Sequence, residues 1–371
     1  MKIAILTSTL GQMGGSEIVA IETATYYAGL GHDVTLWAHN YADDVIRDID
    51  KTIRIAKEPV DITDFDFVWS QHGSYLENIG DAERLPDWNG VLVSVHLSHF
   101  TPLEIFHHPL ARKYMGARVF HAQISMDALE GPDAPQDELF LFRNAAPARF
   151  HKQPAVRSGK LKNILIVSNH LPDEVESATE LLQAHGIQTR ILGRKHEVKL
   201  ITPEDIAAAD AVISIGKTVQ YALVSGTPVY CYDHFGGPGW LTDENAERAE
   251  YSNFNGKCCE TRRTPEEICK EIIQKFDAAQ AFAIKNRAYF SHRYNLERHL
   301  DEILAQGQTH RIKSQVAIHE IEAASIFAKE RIETRAQSIR NNAKATRYRT
   351  TSKWLLVVAL LELFLIMFLL V

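Results

Sequence analysis

The chain reads as two α/β domains of the Rossmann-like kind with facing parallel sheets, followed by a helical tail and an apolar terminus. Three observations predict this. Short apolar β-like runs alternate with helical stretches over most of the sequence, the pattern of a parallel sheet covered by helices. A polar stretch, 151–162, with Pro154, Ser158 and Gly159, interrupts the alternation like a linker. At 371 residues the chain suits two domains at roughly 150 residues each.

Composition narrows the function. Hydrophobic residues make up 45% and charged residues 23%, as in ordinary globular domains. The net charge of −7 argues against a nucleic-acid binder, which usually carries a basic domain. The four cysteines, Cys231, Cys258, Cys259 and Cys269, lack metal-type spacing and read as free thiols in a reducing compartment. No metal and no cofactor are expected. The apolar run Lys2–Leu6 is shorter than a signal-peptide core of roughly 7–15 residues, so the N-terminus is expected to stay where it is made.

The first domain is expected over residues 1–150. Lys2–Thr7 is a strand, and Gly11, Gly14 and Gly15 sit in the loop after it. Ser16-Glu17 opens a helix whose inner face is expected to carry Ile18, Ile21, Thr25 and Ala28. Gly29 and Gly31 end the helix, and Val34–Ala38 is the next strand. The glycines at 14 and 15, with Ser16, allow a ligand close to backbone N–H groups at a helix start. A plain tight turn would use them equally well, and the spacing is not that of the dinucleotide fingerprint. Further strands are expected at Phe65–Ser70, Val91–Val95, Arg118–Ile124 and Glu138–Phe142. Ligands of open α/β sheets sit beyond the carboxyl ends of the strands. His72 and His96, each following a strand, are therefore candidate catalytic residues, with His99 close by.

The second domain is expected over 163–305. Asn163–Val167 is a strand leading into Ser168-Asn169-His170; a helix runs from Asp173 to His185, and Thr189–Leu192 is a strand. Thr202-Pro203-Glu204-Asp205 starts a short helix, and Asp210–Ile215 is another strand. Gly216, Lys217 and Thr218 follow it and open a helix running through Leu223. That is an anion cradle, with helix N–H groups supplemented by a lysine charge, and Lys217 is expected to be exposed. It lacks the Walker A spacing. Gly226-Thr227-Pro228 turns into the strand Val229–Tyr232, and Asp233, His234, Gly236 and Gly237 belong to a glycine-rich stretch, Asp233–Trp240, read as a ligand-facing loop.

These pieces, in this order, resemble the GT-B glycosyltransferases, family 4 in particular, over about residues 1–305. Gly14-Gly15-Ser16-Glu17 and Gly31-His32-Asp33-Val34 look like the family's N-terminal loop and Gly-His-x-Val turn. His72 and His96 fall where the family has a histidine after successive strands. Leu141-Phe142-Arg143-Asn144, closing with Phe150, is similar to its crossover into the second domain. Ser225-Gly226-Thr227-Pro228-Val229 resembles Cys-Gly-Thr-Pro-Val, and Tyr289-Phe290-Ser291 resembles the segment returning to the first domain. The family's paired glutamates are missing, falling near Ile213 and Tyr221, with Gln220 beside the second. The Arg and Lys that usually hold the donor diphosphate are also missing; Lys217, Arg194 or Lys195 would have to supply that charge.

The resemblance implies a sugar transferase of hexosyltransferase type, with a nucleotide-sugar as substrate and Gly216, Lys217, Thr218, Asn169, Gln220 and Tyr221 toward the donor. Two other readings stand beside it. One is a sugar-nucleotide epimerase; the other is a non-catalytic membrane-tethered binding or scaffold protein. The terminus 354–371 holds 18 residues with one charge, Glu362. As a helix it would be roughly 27 Å long, against a hydrocarbon core of about 30 Å. Trp354 at its start, and Lys344, Arg347, Arg349 and Lys353 before it, would leave the body on the cytoplasmic face. A buried or interfacial helix is the alternative, since Glu362 is costly at mid-bilayer. A lipid-linked or surface-glycan acceptor would suit an anchored enzyme. The tail 306–353 is expected to be helical and basic; Ile318, Ile321, Ala328, Ile332 and Ile339 lie near heptad spacing, a weak seam for self-association.

Overall fold

In the computed structural model, residues 1–307 are described except 48, 132, 152–158, 195 and 260, together with 318–330 and 334. The chain divides into one unit up to Val316 and a second from Ala317 onward. Of the second, residues 318–330 are helical. Ile332, Ile339 and the apolar terminus 354–371 lie outside the described residues. No helix among the described residues is long and apolar enough to cross a membrane.

The first unit contains two sheets. The first joins β1 (Lys2–Thr7), β2 (Asp33–Ala38), β3 (Arg54–Ala56), β4 (Phe67–Gln71), β5 (Val91–His96), β6 (Ala117–Phe120) and β7 (Leu139–Leu141). Their order is β3-β2-β1-β4-β5-β6-β7, all parallel. β4 and β5 are buried along their whole length, as parallel strands covered on both faces are. The helices are α1 (Gly15–Gly29), α2 (Asp43–Ile46), α3 (Pro102–Tyr114), α4 (Gln123–Leu129) and α5 (Ala148–His151).

The second sheet joins β8 (Asn163–Val167), β9 (Gln188–Leu192), β10 (Ala211–Ser214), β11 (Val229–Asp233) and β12 (Gly236–Trp240), in the order β12-β11-β10-β8-β9. Its helices are α6 (Asp173–Ala184), α7 (Pro203–Ala207), α8 (Lys217–Val224), α9 (Ala246–Tyr251) and α10 (Pro265–Arg293). Thr264 caps the long α10 in a capping box with Glu267, which satisfies two otherwise orphaned N–H groups. A last helix, α11 (Leu296–Gly307), returns to the first lobe, where Leu296, Leu300 and Ile303 join the core that contains Val91 and Val93. The chain thus crosses between lobes twice, and the crossings are tied together: Ala146 N donates to Tyr294 O (2.8 Å) and Leu296 N to Ala146 O (3.1 Å).

Three expectations are corrected. The strand expected at Arg118–Ile124 stops at Phe120, and Gln123 and Ile124 already belong to α4. The stretch Asp233–Trp240 is no open loop: Gly236–Trp240 forms β12, antiparallel to β11. A Cβ at Gly237 would lie 2.1 Å from Cys231 O, and one at Gly236, where φ is +81°, would lie 2.4 Å from Thr261 O. Those glycines serve close backbone packing at a sheet edge. Finally, α1 buries more than one stripe, including Glu17, Val19, Ala20, Ile21, Glu22, Thr23 and Ala24. Thr25 and Ala28 are only partly buried. Ile18 packs on the core of the second lobe. A helix wedged between two lobes is buried on two sides, so single-face periodicity misreads it.

Candidate functional site

Each sheet has one place where the strand order reverses: between β1 and β4 in the first lobe, and between β8 and β10 in the second. Such switch points open a crevice at the carboxyl ends of the strands. In this chain both open on the same cleft of about 470 Å³. The first lobe contributes Gly14, Gly15, Ser16, His72, Leu97, Ser98 and His121; the second contributes Ser168, Asn169, Gly216, Lys217, Thr218, Asp233 and His234.

Two helix starts face this cleft. Neither α1, beginning after Gly14, nor α8, beginning after Gly216, has a side-chain cap hydrogen bond. The first-turn N–H groups of α8 therefore retain capacity for an anion or hydroxyl, whereas at the α1 start the buried Glu17 carboxylate already accepts from backbone N–H groups, which leaves that end to hydroxyls rather than to an anion. Gly216 has φ +60° and ψ −140°, a conformation suited to glycine. Asp233 is buried and accepts a hydrogen bond from Ser168 Oγ at 3.0 Å, and His234 Nδ1 lies 3.5 Å from its other oxygen without a hydrogen bond. Burial raises its pKa above the usual carboxylate value.

His72 follows β4 with φ +55°, a left-handed conformation that is uncommon for non-glycine residues and that asparagine, aspartate and histidine adopt more readily than the rest. Its Nδ1 lies 3.1 Å from Ser8 Oγ and its Nε2 3.9 Å from Glu104 Oε1. Glu104, on α3, is fully buried; its carboxylate is held well below the usual range by the histidines around it, against its own desolvation.

His96 is not in the cleft. The strand runs one residue further than expected, so His96 is its last member and is fully buried. Its Nδ1 lies 3.2 Å from Glu104 Oε2 and its Nε2 3.2 Å from Ser94 Oγ, and its ring stacks on His107 and Phe120. Burial pushes its pKa down to about 4. His96→Ala is thus expected to cost about 3 kcal/mol of stability as a buried large-to-small change. Thermal or urea unfolding measures this; a collapse of activity at unchanged stability would restore a direct role in the chemistry.

Lys217 also departs from expectation. It borders the cleft, but its side chain is buried, not exposed. Nζ lies 2.9 Å from Glu22 Oε2 and donates to Ala145 O at 2.9 Å. Tyr221 stacks on Phe150 and donates to Glu22 Oε1 at 2.8 Å. Gln220 turns to Arg143 O and Asn253 Oδ1. Gln220 and Tyr221 are therefore interlobe packing residues outside the cleft wall. Gly236 and Gly237 lie in β12 and are likewise absent from the cleft lining. Asn169, Gly216, Thr218, Gly14, Gly15, Ser16, Asp233, His234 and His72 all line the one cleft. His99 faces Ser125 Oγ at 3.1 Å. Arg194 reaches Gln12 Oε1, and Lys195 lies outside the described residues.

Sequence reading missed His121 and Glu104. His121 follows β6 directly, as His72 follows β4, and lines the cleft; burial brings its pKa down to about 4. Its strand-end position was the available signal, hidden by extending the strand to Ile124. Glu104 carries no such mark, being one acid in the first turn of a helix.

Two facing parallel α/β lobes, a cleft between their switch points and a doubly crossed connection define the GT-B class of fold. No protein-family model and no curated protein matches the sequence. Among solved structures, a sucrose-phosphate synthase from Thermosynechococcus elongatus is similar, with a TM-score of 0.51 at 11% identity, covering 83% of this chain and 98% of that one. MurG from Acinetobacter baumannii gives a TM-score of 0.50 at 12% identity, covering 82% of this chain and 99% of that one. The chain has the GT-B glycosyltransferase fold.

Proposed function

We propose that the chain is a glycosyltransferase that moves a sugar of hexose type from a nucleotide-sugar to a lipid-linked or surface-glycan acceptor at the cytoplasmic face of a membrane. The observation that carries the reading is the convergence of two uncapped helix starts and His72 on one interlobe cleft. Transfer breaks the bond between the anomeric carbon and the diphosphate oxygen and forms one to the acceptor oxygen. The departing diphosphate gathers charge, which the α8 start at Gly216–Thr218 would stabilise. The α1 start at Gly14–Ser16 would hold sugar or acceptor hydroxyls, and His72 would take the acceptor's proton. The apolar run 354–371 and the cationic residues before it support the membrane-facing acceptor and a single C-terminal anchor.

A panel of nucleotide-sugars screened by thermal shift, followed by hydrolysis of each stabilising donor, tests the reading. One donor is expected to raise the melting temperature and to be slowly hydrolysed to its nucleoside diphosphate. Binding without any turnover would favour a non-catalytic binding protein, and no binding at all would remove the donor site.

A further inference from the structure

Behind the cleft wall, the Glu104 carboxylate that backs His72 also gathers side chains with no role in the transfer itself, His96 and His107. Glu104 is surrounded by imidazoles: His96 Nδ1 lies 3.2 Å from Oε2, His107 Nε2 3.6 Å from the same oxygen, and His72 Nε2 3.9 Å from Oε1. One ligand atom from each of His96, Glu104 and His107 falls within 4.8 Å of the others, and all three residues are buried. The partners of His107 are the decisive observation. The residue is 1% exposed, yet among the described residues Nδ1 has no hydrogen-bond partner and Nε2 has only the long 3.6 Å contact with Glu104. Buried polar groups are nearly always satisfied, and one left orphaned calls for an explanation such as an ion.

We infer that His96, Glu104 and His107 form a site for a divalent transition-metal ion, zinc foremost. Two imidazoles and a carboxylate are a donor set that zinc accepts. Tetrahedral ligands at about 2.0–2.1 Å from zinc lie roughly 3.3 Å from one another, close to the two shorter separations. The surroundings fit an outer shell. Leu97 N donates to Glu104 Oε1 at 3.0 Å, and Ser94 Oγ lies 3.2 Å from His96 Nε2, the nitrogen facing away from the carboxylate. Such partners orient metal ligands and fix the imidazole tautomer. The His96 and His107 rings lie 4.8 Å apart at 4°, whereas an imidazole binds a metal along its ring plane, so coordination turns one ring out of the stack. Gly73 gives His107 its space: a Cβ there would lie 2.7 Å from the ring. His72, 3.9 Å from Glu104 Oε1 and itself on the cleft wall, joins the cluster to the cleft. Such an ion would fasten α3 to β5 beneath the His72 loop.

The test uses full-length protein carrying a tag without histidine, purified from zinc-supplemented cells and exchanged into metal-free buffer. Elemental analysis is expected to find close to one zinc per chain. After chelation, Co²⁺ should restore a four-coordinate absorption spectrum. His107→Ala should weaken metal binding at least tenfold, and His107→Cys, which returns a zinc ligand, should recover it. A wild-type chain that purifies without metal and binds neither Zn²⁺ nor Co²⁺ more tightly than about 10 μM (a weak affinity on the scale of specific binding) overturns the site. So does a folded His107→Ala that retains wild-type affinity. The wild-type measurement decides even where the variants do not fold. None of these readouts depends on sugar transfer.

Discussion

Lys217→Ala is expected to lower the unfolding free energy by about 3–5 kcal/mol, the cost of stranding one member of a buried ion pair. Lys217 and Glu22 come from α8 and α1, on opposite lobes, and both are buried. Desolvation lowers the lysine pKa, and the Glu22 charge opposes that shift. The same carboxylate accepts from Tyr221 OH at 2.8 Å and Arg149 Nη2 at 2.6 Å. Removing the ammonium leaves a buried carboxylate with one neutral donor and one partly exposed guanidinium. It also frees Ala145 O, which accepted from Nζ. Denaturant unfolding of wild type, Lys217→Ala and the double variant Lys217→Met/Glu22→Leu measures the effect. The double variant should recover part of the loss, because a buried pair replaced by apolar groups is often close to neutral. A single variant as stable as wild type would show that the pair contributes nothing net.

That pair also shows where sequence pattern stops being informative. A lysine in the first residue of a helix after a glycine looks like a charge offered to solvent or to an anion. Only the placement of α1 against α8 makes it a bond between lobes, and no local pattern encodes that placement. The alternation of strands and helices was legible because the central strands β1, β4, β5, β8 and β10 are rich in apolar residues and several helix starts carry a glycine, proline or capping residue, as at Gly14, Pro102, Thr202, Gly216 and Thr264. Gly31 and Gly186 do have the positive φ expected at such ends. Non-local relations were the errors. His96 moved from loop to core because β6 and α3 cover β5. Gly236 and Gly237 moved from ligand loop to edge strand because the backbone at Cys231 and Thr261 crowds them. The histidine that follows β4 does line the cleft, because the carboxyl end of a strand beside a switch point faces a crevice whatever packs around it.

Replacing His72 is expected to reduce glycosyl transfer by about 10²–10⁴-fold, the range for a positioned acid–base group. The prediction rests on its place between Ser8 and the buried Glu104 carboxylate, at the switch point of the first sheet and on the cleft wall. Ser8 Oγ at 3.1 Å fixes the ring orientation, and Glu104 favours the imidazolium that forms when the acceptor's proton arrives. Alanine at this position also meets a backbone strained to φ +55°, so a loss in His72→Ala alone would mix chemistry with folding. Asparagine tolerates the left-handed region well, which makes His72→Asn the cleaner variant. It should keep the wild-type melting temperature and donor affinity while losing turnover. Glu104→Gln should lower turnover too, through the orientation and basicity of His72, and should shift the pH dependence of the rate that His72→Asn abolishes. Full transfer activity in a folded His72→Asn would remove the imidazole from the chemistry and leave the cleft without its base.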